Sequence, residues 1–249
     1  ALNQVRNVKQ PGTLTVSKPI GRPDRQFYAK SNAFGRFGMR WFRPVVMGAT
    51  HSHGHIELNW LSAGHMDYVF DGRPVRVNSK RLVVFWASVP HQAVSVDYGP
   101  DDDSQQCNIY LPLDSFLHMP HVEKLQEIML GGGLVALGEE SIGANTLRRW
   151  YGDYRSGDPE RQDILRVEIG AMLRRAVLVG WEEIMPPWIE PTAAAPRQAP
   201  PIRYVVAMLR YILEHLSEEI SVADVADVAG LHPNYALSLF SRVMRVPLR

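Results

Sequence analysis

The stretch "HSHGHIELNW" places His51, His53, His55, Glu57 and Asn59 on alternate positions. In an extended strand these side chains leave one face, while Ile56, Leu58 and Trp60 leave the other. The plain reading is a solvated polar face backed by an apolar one. Three imidazoles and a carboxylate are nonetheless an unusual solvent face, because exposed strands carry Lys, Thr or Ser more often. Neutral imidazole nitrogens bind divalent metals at about 2.1 Å, and two histidines at i and i+2 present both rings on one side. His91, in the downstream "VPHQ", extends the set to His51, His53, Glu57 and His91. Three imidazoles and one carboxylate suit Zn, Ni, Mn or Fe without choosing among them. Glu57 is the difficulty, since four extended residues carry it roughly 13 Å beyond His53; a bulge at Gly54 would fold it back. The same side chains can instead hydrogen-bond a polyhydroxylated molecule. In that reading the ligand-binding set is His51, His53, Glu57, Asn59, Trp86, His91 and Gln92, with Trp60 and Tyr68 as further aromatic faces. No catalytic residue is assigned.

These groups need a rigid support, and the sequence around them predicts one. From 41 to 113, β-branched and aromatic runs such as "DYVF", "VRV" and "LVVFW" alternate with the turn signals "FDGRP" and "VNSK", the texture of a β-sandwich or barrel. Residues 1–40 read as an irregular arm and lead-in. From 114 to 185 the pattern becomes helical; Ile164, Leu165, Glu168, Ile169, Met172, Leu173 and Ala176 recur at helical spacing with one charged intruder. Such helices would cover the barrel or pair subunits into a homodimer. Six prolines between Pro186 and Pro201 forbid both helix and central strand, so 186–201 is predicted to be a stiff linker. The fold class is therefore α+β, with a second, helical unit over 202–249. At 249 residues, two domains with separate cores are expected.

In that last unit, Ser221 followed by Asp224 predicts a capping box, and Gly230 a left-handed corner. Pro233 is pre-set for the first turn of the next helix. On that helix Ala236, Leu239, Phe240 and Val243 share one face. A stripe of Val205, Met208, Leu209, Ile212 and Leu216 precedes the pair. Two helices joined by a tight corner, one face locking and one free, form a helix-turn-helix, whose second helix reads base edges in the major groove. His232, Asn234, Tyr235, Leu237, Ser238 and Arg242 are the candidate DNA-binding residues. Asn234, Leu237 and Ser238 are expected near bases, and His232, Tyr235 and Arg242 near phosphates. The chain as a whole has 27 Lys and Arg against 26 Asp and Glu, which excludes a polybasic carpet. From Leu231 onward, however, the charged residues are all basic: Arg242, Arg245 and Arg249. Two helices around a glycine corner also occur in plain bundles, so this pattern alone does not decide.

"ISVADVADVAGLHPNYALSLFSRVMRVP" resembles the first of two helix-turn-helix units in AraC-type transcription regulators. The family pattern continues through a long connecting helix and a second unit, whereas this sequence stops at "VPLR"; the domain is expected to be truncated and operator binding weak. His51, His53, Glu57 and Gly64 resemble the first motif of the cupin barrel, with His91 near the last ligand of the second. Val45 stands where that motif has glycine, and Ser95 where it has asparagine. The ordered series "HSHGHIELN", "LVVFWASVPHQ", "YLPLDSFL", "LRRW", "IGAMLRRAVLVGW" and "NYALSLFSRVM" resembles a sugar-responsive AraC-type activator from about residue 40. The resemblance implies a cupin-like sensor, a sugar effector, a homodimer, operator DNA and contact with RNA polymerase. An enzyme is not expected; the competing reading is a metal-dependent cupin dioxygenase or isomerase. One cysteine, the absence of an apolar leader and the absence of about 18 consecutive apolar residues predict a reduced, cytoplasmic protein without a membrane span.

Overall fold

The computed structural model describes residues 36–188, 201–244 and 248. Most of the 1–40 arm, the bulk of the 186–201 linker, Arg245 and Arg249 lie outside them. Seven strands come first: β1 (Gly38–Phe42), β2 (Ile56–Leu61), β3 (His65–Phe70), β4 (Arg73–Asn78), β5 (Leu82–Trp86), β6 (His91–Asp97) and β7 (Gln106–Leu111). They are followed by α1 (Leu113–Leu117), α2 (Glu123–Leu130), β8 (Leu134–Leu137), α3 (Ala144–Arg155), α4 (Pro159–Val179) and β9 (Glu182–Met185). Helices α5 (Pro201–Glu214), α6 (Val222–Val228) and α7 (Pro233–Met244) end the chain.

The strands form two antiparallel sheets, ordered β1-β7-β2-β5-β8-β9 and β4-β3-β6. The expected barrel is thus two packed sheets, not a closed cylinder, among the described residues. "FDGRP" makes the hairpin between β3 and β4: Asp71 and Gly72 both have positive φ, 47° and 80°, as a two-residue turn matching strand twist requires. Between the sheets lies an apolar cluster that includes Leu61, Tyr68, Phe70, Phe85 and Ala93. The opposite face of the large sheet carries Ile56, Leu58, Trp60, Trp86 and Ile109 into a second cluster with α2, α3 and α4. The region predicted to be wholly helical also supplies β8 and β9, which extend the large sheet; four-residue apolar runs such as "LVAL" do not distinguish strand from helix by period. On α4, Leu165, Ile169, Met172, Leu173 and Ala176 are buried as expected, but Ile164 is exposed. The charged intruder Glu168 accepts hydrogen bonds from the Trp150 indole and from Arg149.

The tail forms the predicted elements. Ser221 and Asp224 close a capping box, and Gly230 takes φ 63° at the corner, where Leu231 N–H reaches the Ala226 carbonyl at 3.0 Å. Because a Cβ at Gly230 meets open space, Gly230→Ala should cost about 1 kcal/mol through backbone strain alone; a thermal melt reading a loss far above that would point to a tighter corner. Leu216, placed in the α5 stripe, instead lies beyond the helix and is exposed. Among the described residues, the tail forms no apolar cluster of its own. Buried residues of α5, α6 and α7 belong to the same apolar cluster as the helices over the sheet. Polar contacts reinforce the docking: Arg203 pairs with Glu127, and Arg210 donates to the Leu117 carbonyl at 2.7 Å and to Gln126 at 3.1 Å. No helix among the described residues is long and apolar enough to cross a membrane.

Candidate effector pocket and metal centre

Strand β2 begins only at Ile56, because the chain bends at Gly54 and His55. Before the bend, His51 forms an isolated antiparallel bridge with His91, with backbone N–H to carbonyl distances of 3.1 and 3.0 Å. His53 N–H reaches the Ala87 carbonyl at 2.9 Å. The segment therefore crosses from the small sheet at His91 to the large sheet at Glu57. This bend removes the spacing problem: His53 Nε2 lies 2.7 Å from Glu57 Oε1. One ligand atom each from His51, His53, Glu57 and His91 all fall within 4.8 Å of one another.

Protonation follows from the hydrogen bonds. His91 is fully buried; its Nδ1–H donates to the Val89 carbonyl at 2.9 Å, while Nε2 has no hydrogen-bond partner among the described residues. Burial pushes its pKa down, so the ring is neutral and keeps a lone pair on Nε2. His55 is lowered to about 4 by burial and then by His53; it is neutral and donates from Nε2 to the Arg36 carbonyl at 3.1 Å. Its Nδ1 is then an acceptor, and His53 Nδ1, 3.0 Å away, must donate to it. That assignment leaves a lone pair on neutral His53 Nε2 facing Glu57. Burial alone would raise Glu57, but hydrogen bonding to His53, the nearby imidazoles and Asn59 hold it at about 2, as a carboxylate. Two lone pairs cannot face each other at 2.7 Å, so a positive charge belongs between them: a proton on His53, or a metal ion bound by both. Four ligands at about 2.1 Å around one ion stand about 3.4 Å apart in a tetrahedral arrangement, so atoms that now lie within 4.8 Å of one another would draw together by up to roughly 1 to 1.5 Å to close on a cation. The donors fit Zn, Ni, Mn or Fe.

Above this cluster opens a pocket of about 590 Å³. His51, His53 and Glu57 form part of its lining. Strand β7 adds Gln106, Asn108 and Tyr110, joined by hydrogen bonds of 2.7 and 3.1 Å; β1 adds Arg40 and Phe42. Sequence reasoning missed these five residues. The signal was there in "QCNIYL", where polar or amphipathic residues alternate with Cys107, Ile109 and Leu111, which face the helices.

The remaining predicted residues are placed differently. Asn59 is buried behind Glu57 and donates to its Oε2 at 3.0 Å, so it orients the carboxylate without lining the pocket. Gln92 donates to the Met47 carbonyl at 2.9 Å and accepts from Thr50 at 3.2 Å, holding the segment at the mouth. Trp86 is not brought to the site: paired in register with Ile56, it shares the helix-facing side of the sheet. Trp60 lies on that same side, and Tyr68 stacks on Phe70 between the sheets. Cys107 is buried, and burial pushes its thiol up to about 12, removing it as a ligand or nucleophile. On α7, Ala236, Leu239, Phe240 and Val243 are buried, whereas Asn234, Tyr235, Ser238 and Arg242 are exposed and Leu237 half-buried; His232, just before the helix, is exposed.

The sequence is 28% identical over 220 residues to the melibiose operon regulatory protein of Escherichia coli strain K12, covering 87% of this chain and 70% of that one. The same identity and coverage hold for the protein of that name in strain CFT073. The chain is related to this regulator. The relationship bears out the resemblance read from the strand and tail motifs. No family model matches the sequence. Among solved structures, the AraC-like transcriptional activator CuxR is 10% identical, with 76% of this chain and 61% of that chain covered, at a TM-score of 0.36. Fatty-acid-bound ToxT from Vibrio cholerae is 12% identical, with 85% and 92% covered, at 0.35. Those scores carry no weight for fold or function.

Proposed function

We propose that the chain is a ligand-responsive, DNA-binding transcription regulator of the AraC type, an activator that senses a sugar-like molecule in the pocket beside His51, His53, Glu57 and His91. One observation carries the reading: α5 leads into the helix-corner-helix and is hydrogen-bonded to α1 and α2, so one chain links the pocket-bearing sheets to a surface suited to DNA. A ligand acts only through different affinities for two arrangements of these parts. A divalent metal on the three imidazoles and Glu57 belongs to the proposal, as does a cytoplasmic homodimer that contacts RNA polymerase. The exposed Val167, Leu178 and Val179 of α4 supply an apolar surface for pairing.

The test is selection of DNA from a random-sequence pool by this 249-residue chain. A recurrent motif is expected. Arg242→Ala should weaken binding to all sequences alike, with a salt slope shallower by about 1, whereas Asn234→Ala should lose discrimination at one base position. Enrichment of no motif, together with salt-independent retention, would refute the DNA-binding reading. The metal-dependent dioxygenase or isomerase keeps one observation in its favour, the four-donor cluster open to a pocket. Turnover by metal-loaded protein would establish it instead.

A further inference from the structure

We infer that the glycine turn 131–133 is the joint through which the sheets position the helical tail. It holds both ends of the proline-rich segment, at Trp188 and at Ile202, so the turn sets where α5 lies and the length of that segment does not. Trp188 is a positioning residue in this scheme.

Three successive glycines follow α2, and each is crowded. Gly132 has φ 79°, and the N–H groups of Gly133 and Gly132 reach the Ile128 and Met129 carbonyls at 2.8 and 2.9 Å, the paired bonds of a left-handed helix cap. That cap needs one glycine; packing accounts for the others. A Cβ on Gly131 would fall 2.8 Å from Pro187 Cβ and 3.0 Å from Ile202 Cδ1, and one on Gly133 would fall 2.5 Å from Ile128 Cγ2. A Cβ on Gly132 would strike the Trp188 ring. Gly131 has an ordinary helical φ of −73°, so its missing side chain answers packing alone. The Trp188 N–H also donates to the Gly131 carbonyl at 3.0 Å. The turn thus touches two layers at once: Trp188 packs against the cluster between the sheets, and Ile202 belongs to the helix-facing cluster.

Chain geometry supports a joint over a spacer. The 12 residues 189–200, if they were extended polyproline at about 3.1 Å per residue, would hold their neighbours about 37 Å apart. Instead Pro187 and Ile202 both border the space beside Gly131. The joint also lies in line with the pocket. In register across the large sheet, Glu57 pairs with Phe85, Phe85 with Leu134, and Leu134 with Met185. Leu134 follows the turn directly, and Met185 precedes Pro186 and Pro187. One cross-strand row therefore joins a residue lining the pocket to the turn that seats α5. On the other side of the turn, α2 carries Glu127, which pairs with Arg203 of α5.

The experiment is hydrogen exchange on the full chain, with β7, away from β8 and β9 in the large sheet, as the reference element. Trp188→Ala is expected to speed exchange in α5 tenfold or more relative to β7, and Trp188→Phe, which keeps part of the ring, should fall between. Gly132→Ala should match Trp188→Ala by displacing the ring. The double variant should be no faster than the quicker single one, because both changes break the same contact. Ten Gly and Ser residues inserted between Ala194 and Ala195 should leave α5 within about threefold of the unaltered chain, since lengthening a segment whose ends are already held costs little. Three results would each overturn the inference: an unchanged α5 rate in Trp188→Ala, single effects that multiply in the double variant, or an insertion that loosens α5 as much as Trp188→Ala does. Should Gly132→Ala fail to fold, Trp188→Ala and the insertion decide alone. Exchange is read without ligand or DNA, so failure here leaves the proposed function standing.

Discussion

Adding Zn²⁺ or Ni²⁺ to metal-free protein should raise its melting temperature by about 10 °C, and Glu57→Gln or His91→Gln should abolish most of that rise. A ligand that binds only the folded chain stabilises it by RT ln(1 + [L]/Kd), about 4 kcal/mol at a thousandfold excess over Kd. For a chain of this size each kcal/mol corresponds to roughly 2–4 °C. The expectation rests on His91 Nε2, a buried lone pair with no hydrogen-bond partner among the described residues, whose ring is fixed by the bond from Nδ1 to Val89. A buried acceptor left unmet costs about 1–3 kcal/mol, a cost that an ion would remove. Glu57→Gln keeps the shape of the side chain and deletes the charge, so it should weaken metal binding more than it disturbs packing. His91→Gln is preferred to alanine because the ring packs against Phe70 and Phe85, and truncation would add a cavity to the lost ligand. If neither metal shifts the melt, the cluster is a hydrogen-bonded polar interior with a protonated His53.

Alternation was enough to assign the two faces of β2: Glu57 and Asn59 turn inward, while Ile56, Leu58 and Trp60 turn to the helices. The tail was equally legible, because capping, corner and helix-face signals at Ser221, Gly230 and Ala236 are local and agree with one another. Sequence reading failed where a side chain's place depends on its partner strand. "LVVFW" is apolar at every position, so only the pairing of Trp86 with Ile56 reveals that the indole faces away from the pocket. Arg40 and Phe42 were missed because β1 enters the site through its pairing with β7, separated from it by most of the sheet sequence. His55 shared the alternation of His51 and His53, yet the bend gives it a different role, since its bond to the Arg36 carbonyl fixes the proton on His53. The docking of α5 was invisible for the same reason. A helical stripe specifies that a face will be buried, not what will bury it.

That docking leads to the second large effect. Gln126→Leu should lower stability by about 2–4 kcal/mol and speed hydrogen exchange in α5 more than in β2. Gln126 is fully buried, and its Nε2 lies 2.8, 3.2 and 3.4 Å from the carbonyl oxygens of Phe116, Leu117 and Met119. Its Oε1 accepts from Arg210 of α5 at 3.1 Å. Leucine nearly matches the volume but offers neither donor nor acceptor, so the variant removes one donor from the carbonyls at the end of α1, where, among the described residues, Phe116 O keeps only the Met119 N–H at 3.2 Å, and weakens the hold on a cation. Arg210 still has the Leu117 carbonyl at 2.7 Å, and Arg203 still has Glu127, so the tail should loosen without unfolding. Arg210→Ala separates the two contributions: it removes the contact across the junction while Gln126 keeps its carbonyls, so it should accelerate exchange in α5 at a smaller global cost. If both variants left α5 exchanging at the rate of the unaltered chain, its attachment would rest on its apolar contacts, such as those of Ile202, Val205 and Leu209, and on the Arg203–Glu127 pair, and the Gln126–Arg210 bridge would not couple the sheets to the proposed DNA-reading surface.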